Sequence, residues 1–260
     1  MILHPTPGGL AAIRQSAHAF VAFQLADHWG NRMTPRPSPR AEVLAAVLLH
    51  DGGWDAEERP RLGPDGLPLA FDSWPENDRE RIWRAAVERA AVGGRYVEWL
   101  VSHHVTHLAE AYSRSSHAAF VADEERRRAG LAKELSRDSR YRAAVGAQAG
   151  EINRAILRVC DAVAVHLGRG GDDAHLAGLP QRDGETTLAI HRVMEHTYRL
   201  RPWPFVGQRL VVHADAHAFG GRHFASSGAL DAAWSAGTAK RLSWTLLATG
   251  SPIDSPRITV

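Results

Sequence analysis

Apolar residues in the first two thirds of the chain recur at three- and four-residue spacing, the signature of helices; in the last third they alternate, as strands do. Ile13, Phe20, Val21, Phe23 and Leu25 form one stripe and predict a first helix over 11–29, ended by Gly30 and Asn31. The proline-rich stretch from Pro35 to Pro39 then runs extended. Ser38 is placed to cap a second helix, whose apolar run from Val43 to Leu49 leads straight into His50 and Asp51. Gly52 and Gly53 weaken that helix, and residues 56–75, rich in Pro and Gly, read as a long ordered loop. Further helices are predicted over 78–92, 96–111, 116–135 and 142–167, with breaks at Gly93-Gly94 and at Gly168, Gly170 and Gly171. Short period-two runs follow at 197–201, 208–219 and 241–248.

The expected fold is therefore mainly α, a helical bundle with a small C-terminal antiparallel β appendage. It divides into a helical domain over 1–175 and a small α+β extension over 176–260 packed on it. The 260 residues are 44 % hydrophobic, enough for a buried core. The 31 basic residues nearly balance the 29 acidic ones, and no run of bases stands apart from acids, so no nucleic-acid partner is indicated. The charge cluster from Asp123 to Arg128 carries both signs and reads as a solvated helix face. No window approaches a membrane span or a signal peptide, and the single cysteine, Cys160, excludes an internal disulfide; cytoplasm is the expected location. The composition is unusual in its 15 histidines, the commonest metal-ligating residue type.

His50-Asp51, at the end of a strongly apolar helix, starts the chemical reading. An imidazole and a carboxylate there converge on one ion only if the helix end faces a cavity. Other helices supply partners: His18 midway along the first, His103, His104 and His107 on the fourth, and Asp161 inside the apolar segment from Ile156 to Val165. His103 and His107 share a face by i,i+4 spacing, and His104 projects at a neighbouring angle. A buried carboxylate left unpaired costs several kcal/mol, and a divalent cation would relieve Asp51 and Asp161 together. Mixed nitrogen and oxygen donors suit Fe, Mn, Zn, Co or Ni better than Ca. Such an ion lowers the pKa of bound water towards about 7 and so prepares it to attack a phosphoryl or acyl centre.

Each candidate has a plainer explanation. His18 could bond a backbone carbonyl, and Asp161 could pair with Arg158. The loop over 55–74 carries Arg59 and Arg61 between Trp54 and Trp74, and reads equally as a lid over an anionic substrate or as a packed connector. Asp55 is a candidate general acid or base; Glu57 and Glu58, close by, fit surface carboxylates better. His213, Asp215 and His217 alternate along a predicted strand with His223 near, in the style of a two-histidine, one-carboxylate iron site. A solvated strand face explains them better. Cys160 reads as a small buried hydrophobe rather than a thiolate ligand.

The series His18, His50-Asp51, Asp161 resembles the metal ligands of the HD superfamily, helical proteins that include many metal-dependent phosphohydrolases. Within it the chain is most similar to an uncharacterised bacterial family, the domain of unknown function 3891. The likeness rests on Gln15-Ser16-Ala17-His18, on His50-Asp51-Gly52-Gly53-Trp54, and on Pro60-Arg61-Leu62 with Gly66, Pro68 and Phe71. It continues through Val101-Ser102-His103-His104, Cys160-Asp161 and Pro202-Trp203-Pro204-Phe205. The resemblance implies an HD-domain-like helical bundle, with His18, His50, Asp51 and Asp161 as primary ligands and His104 as a second-metal ligand or substrate contact. Two-metal relatives carry further histidines between the His-Asp pair and the last Asp, and several have lysine where Trp54 stands. The third helix here has no histidine, so one metal is favoured and two are allowed.

The function expected from these residues is metal-dependent hydrolysis of a phosphate ester or related anionic small molecule. The metal-activated water would attack, with His104 and Arg61 steadying negative charge and Asp55 moving protons. Two alternatives stand beside it, a diiron HD-type oxygenase and a non-catalytic metal-stabilised binding module. The oligomeric state is not readable from the sequence.

Overall fold

A computed structural model of the chain describes residues 1–57, 59–113 and 115–251. Its N-terminal segment shortens the first predicted helix, read over 11–29, to Gln15–Asp27, because residues 2–13 form a β-hairpin. Strand β1 (Ile2–Thr6) runs antiparallel to β2 (Gly9–Ile13), with Ile2 opposite Ile13. All five residues of β2 are buried. Ala11 and Ile13 face the main core, whereas Leu10 and Ala12 face a second apolar cluster with Phe219, Leu230 and Trp234. A strand covered on both sides loses its alternation and becomes indistinguishable from a short buried helical run. Gly9 is required by the packing: a Cβ there would sit 2.2 Å from the Phe219 carbonyl oxygen of the next strand.

Helices then dominate to residue 169: α1 (Gln15–Asp27), α2 (Arg40–Leu49), α3 (Glu76–Ala90), α4 (Arg95–Ser113), α5 (Ala118–Leu135), α6 (Ser139–Arg142) and α7 (Ala147–Arg169). The helix read over 142–167 is α7, which begins later, after Gly146; the short α6 before it is capped by the Asp138 carboxylate. Ser38 makes no side-chain cap for α2; its backbone is instead clasped by the Asn153 amide, which accepts from Ser38 N and donates to Ser38 O.

The remainder holds β3 (Ala174–Gln181), β4 (Gly184–Met194), β5 (Thr197–Arg201), β6 (Arg209–Gly220), α8 (Ser227–Ser235) and β7 (Thr238–Ala248). With the N-terminal hairpin these form a seven-stranded sheet in the order β1-β2-β6-β7-β5-β4-β3, in which β5 and β7 pair parallel and the other neighbours antiparallel. The expectation of an HD-domain-like helical bundle with a small antiparallel appendage is thereby corrected: a mixed sheet drawing strands from both ends of the chain is a major layer. Strands β3 and β4 escaped the pattern for a physical reason. β3 is an edge strand with a register shift between Leu176 and Leu179, and it contains Gly178 and Pro180, residues that argue against a strand.

One face of the sheet packs on the helices, with α1 against β6 and α7 against β1 and β3; α2 packs on both α1 and α7, and α4 packs on α2 and α7. The main core is continuous across both layers, joining Val212, Leu200 and Trp244 of the sheet to Leu25, Val47 and Ile156 of the helices. Burying each leucine-sized side chain contributes about 1.5–3 kcal/mol, so α1 and α7 are held in place from two directions. Among the described residues, no helix is long and apolar enough to cross a membrane.

Candidate metal centre

Four helices each bring a polar side chain to the same buried point. Gln15 opens α1, and His18 follows it on the same face at i+3. His50 is the C-terminal cap of α2, where its Nδ1 meets the Val47 carbonyl at 2.7 Å. That contact makes Nδ1 a donor to the backbone and turns Nε2 inward, the nitrogen left to bind an ion once its proton is displaced. Asp51 comes next, and the chain then turns through a single 3-10 turn, Gly52–Trp54. Gly53 is fixed by packing against α3, since a Cβ there would lie 1.9 Å from the Ile82 carbonyl oxygen. His104 comes from the middle of α4 and Asp161 from α7.

The side chains converge tightly. His18 Nε2 is 2.8 Å from Asp161 Oδ1 and 3.7 Å from Asp51 Oδ2. His50 Nε2 is 3.5 Å from the same oxygen of each carboxylate, and His104 Nε2 is 3.5 Å from Asp161 Oδ2. Gln15 donates to Asp51 Oδ2 at 3.1 Å. Two triads result, His18-His50-Asp51 and His50-His104-Asp161, each with its donor atoms within 4.8 Å of one another. The imidazoles are buried, and the carboxylates stay slightly open, 12 % for the Asp51 side chain and 17 % for Asp161.

Burial and opposite charge compete here. Burial pulls the His50 pKa down, but Asp51 and Asp161 outweigh it and raise the ring to about 9. Burial raises Asp51. Asp161 is also penalised by burial, yet the hydrogen bond to His18 and the His50 ring close by hold it well below the usual carboxylate range. His104 is driven down to about 3, chiefly by burial, so it is a neutral ring. Among the described residues, His18 Nδ1, His50 Nε2 and both nitrogens of His104 are buried without a hydrogen-bond partner.

Asp51 and Asp161 open into a cavity of ≈ 400 Å³. Its walls are largely apolar and aromatic, including Phe71, Trp83, Leu108 and Val165, and Arg79 and Arg169 also line it.

The other residues singled out by sequence lie elsewhere. His103 stacks edge-on against Trp99, takes a bond from Arg154 Nη1 at 3.2 Å, and is pushed down to about 2 by burial and the surrounding guanidinium groups. His107 is exposed. Asp55 pairs with Arg89 at 2.9 Å and lines a separate cavity with Met1 and Arg14. Arg61 lies over the Trp74 ring at 4.2 Å and pairs with Glu57 and Asp78, so it does not reach the cavity beside Asp51. Glu58 falls outside the described residues. Phe71 of the loop and Trp54 just before it both line the cavity; Trp54 and Trp74 meet edge-to-face and pack on Ile82.

Several plainer readings are settled as well. Arg158 pairs with Glu151 rather than Asp161. Cys160 is fully buried, and burial pushes its thiol up, as for a small hydrophobe. Along β6, Asp215 pairs with Arg241 at 3.0 Å and His217 packs on Trp234, so these side chains turn to separate local partners. His223 abuts the backbone of Gly66.

Arg79, Arg169 and Tyr112 were missed, although a signal existed. Once His104 and Asp161 fix the inward faces of α4 and α7, i,i+4 steps lead to Leu108 and Tyr112 on one helix and to Val165 and Arg169 on the other. A family model described as a protein of unknown function (DUF3891) matches residues 1–219, and the chain belongs to that family. No curated protein and no solved structure matches it.

Proposed function

We propose that this member of the DUF3891 family is a metal-dependent hydrolase of phosphate esters or related anionic small molecules, holding one divalent transition metal between His18, His50, Asp51 and Asp161, with His104 beside it. The observation that carries the reading is the meeting of three buried imidazoles and two carboxylates from four helices, with imidazole nitrogens left unpaired. A buried donor or acceptor without a partner costs about 1–3 kcal/mol, and a cation that takes one nitrogen from each of His50 and His104 lowers that cost and neutralises the carboxylates together. The likeness of the ligand series to HD-type phosphohydrolases points the same way.

A bound ion of this kind acidifies a coordinated water and polarises a phosphoryl oxygen. The chain's own residues prepare the rest. Val47 fixes the tautomer of His50, Gln15 orients Asp51, and the buried rings keep bulk water from the ligands. In the reaction, water oxygen bonds to phosphorus, the ester P–O bond breaks, and the proton ends on the departing alcohol.

One ion is favoured over paired iron. His50 belongs to both triads yet has a single nitrogen to give, so the triads describe one coordination sphere. The cavity beside Asp51 and Asp161 favours an open coordination position over a purely structural site. The test is turnover of a panel of phosphate monoesters by metal-loaded wild type and Asp51→Ala. Phosphate release by wild type and none by the variant is expected. A panel left untouched by fully loaded wild type overturns the hydrolase reading, and oxygen consumption with two irons per chain would replace it with an oxygenase.

A further inference from the structure

The cavity has two chemically different ends. On α7, Asp161, Val165 and Arg169 follow one another at i, i+4 and i+8, and on α4 His104, Leu108 and Tyr112 do the same. Both helices therefore pass from a metal-ligating residue through an aliphatic residue to the far wall, about 12 Å along the axis for eight residues. There α3 adds Arg79, whose guanidinium lies over the Tyr112 ring at 4.2 Å. Arg169 lies over Phe71 at 5.2 Å and is ion-paired with Asp72, and Arg79 donates to the Asp72 backbone carbonyl.

These arginines are positioned and not fully neutralised. One carboxylate, Asp72, stands against two guanidinium groups, and Arg79 meets only its main-chain oxygen. Arg79 Nε, on a residue lining the same cavity, is buried without a hydrogen-bond partner among the described residues. An unspent buried donor beside surplus positive charge is what a ligand oxyanion satisfies. Between the two ends the walls are Trp83, Leu108 and Val165, which offer a flat or aliphatic spacer contact but no polar partner.

We infer that the substrate carries two anionic groups, one presented to the metal end and a second, carboxylate or phosphate, gripped by Arg79 and Arg169 across an apolar spacer. This deepens the hydrolase reading and rests on it for the role of the first group. Arg79 and Arg169 are then specificity determinants, and the reacting bond lies away from them.

Binding separates the two ideas. The metal-loaded chain is titrated calorimetrically with phenylphosphonate, which has one oxyanion, and with para-phosphonobenzoate and para-phenylenediphosphonate, which have two. Wild type should bind at least one of the two-anion probes about tenfold tighter than phenylphosphonate, the scale of one charged hydrogen-bonded contact. Arg79→Met and Arg169→Gln should each erase most of that advantage and leave phenylphosphonate within about twofold. Arg169 is half-exposed, so its variant folds even if Arg79→Met does not. Equal binding of all three probes by wild type overturns the inference, as does an advantage that survives in Arg169→Gln. If the arginine dependence holds while no phosphate ester turns over, the hydrolase reading falls and the anion wall stands. If esters turn over and the arginine variants bind the probes like wild type, the wall falls alone.

Discussion

Two groups of histidine and aspartate invite the same reading from sequence, His18, His50, Asp51 and Asp161 among the helices, and His213, Asp215 and His217 along β6. Only the first converges. Its members come from α1, α2 and α7, whose apolar faces are locked into one core, so that their polar side chains have nowhere to go but towards one another. The β6 row lies along one strand, where each side chain finds a local partner, Arg241 for Asp215 and Trp234 for His217. Spacing within one element is weak support for a metal site; delivery from separate buried elements is strong support, because burial forbids the solvated alternatives.

That contrast can be broken by substitution. Asp161→Ala, which removes a carboxylate facing three imidazoles, should abolish retention of a divalent metal through gel filtration, whereas Asp215→Ala should leave metal content unchanged and stability within about 0.5 kcal/mol of wild type. Equal metal loss in both variants would erase the distinction. A smaller effect is expected behind the ligands. Gln15→Ala, which removes the donor to Asp51, should weaken metal affinity about 10–100-fold in a competition titration with a chelator, and an unchanged affinity would show that Asp51 needs no such support.

The smallest effect is protonic. The His50 pKa of about 9 in the folded metal-free chain lies above its ordinary 6.5. The charged ring therefore stabilises the metal-free fold fully below pH 6.5, and that contribution is lost as the pH climbs through about 9. A metal must displace the same proton. At pH 7.5, uptake should release about one proton per chain, read from calorimetry in buffers of different ionisation enthalpy. Uptake without proton release would place the ion away from His50.

The candidate centre was more legible than the fold. His50-Asp51 stands out because an apolar run of helix ends in two polar residues, and His18 and Asp161 stand out because each interrupts an apolar segment. The sheet hid where its strands are atypical: β2 buried on both sides, β3 an edge strand containing Pro180. Asp55 and Arg61 sit close to the His-Asp pair in sequence, but the 3-10 turn at Gly52–Trp54 and the stacking of Arg61 on Trp74 send them to other partners. The arginines that do line the cavity, Arg79 and Arg169, are distant in sequence and became visible only once the inward helix faces were known.

The most direct test is the metal content of the wild-type chain and of Asp51→Ala, both purified without added metal and measured by elemental analysis. About one divalent transition-metal ion per wild-type chain is expected, and none in the variant. Wild type that neither carries nor takes up such an ion, or a variant that retains it in full, would contradict the claim that these helices were assembled around a metal.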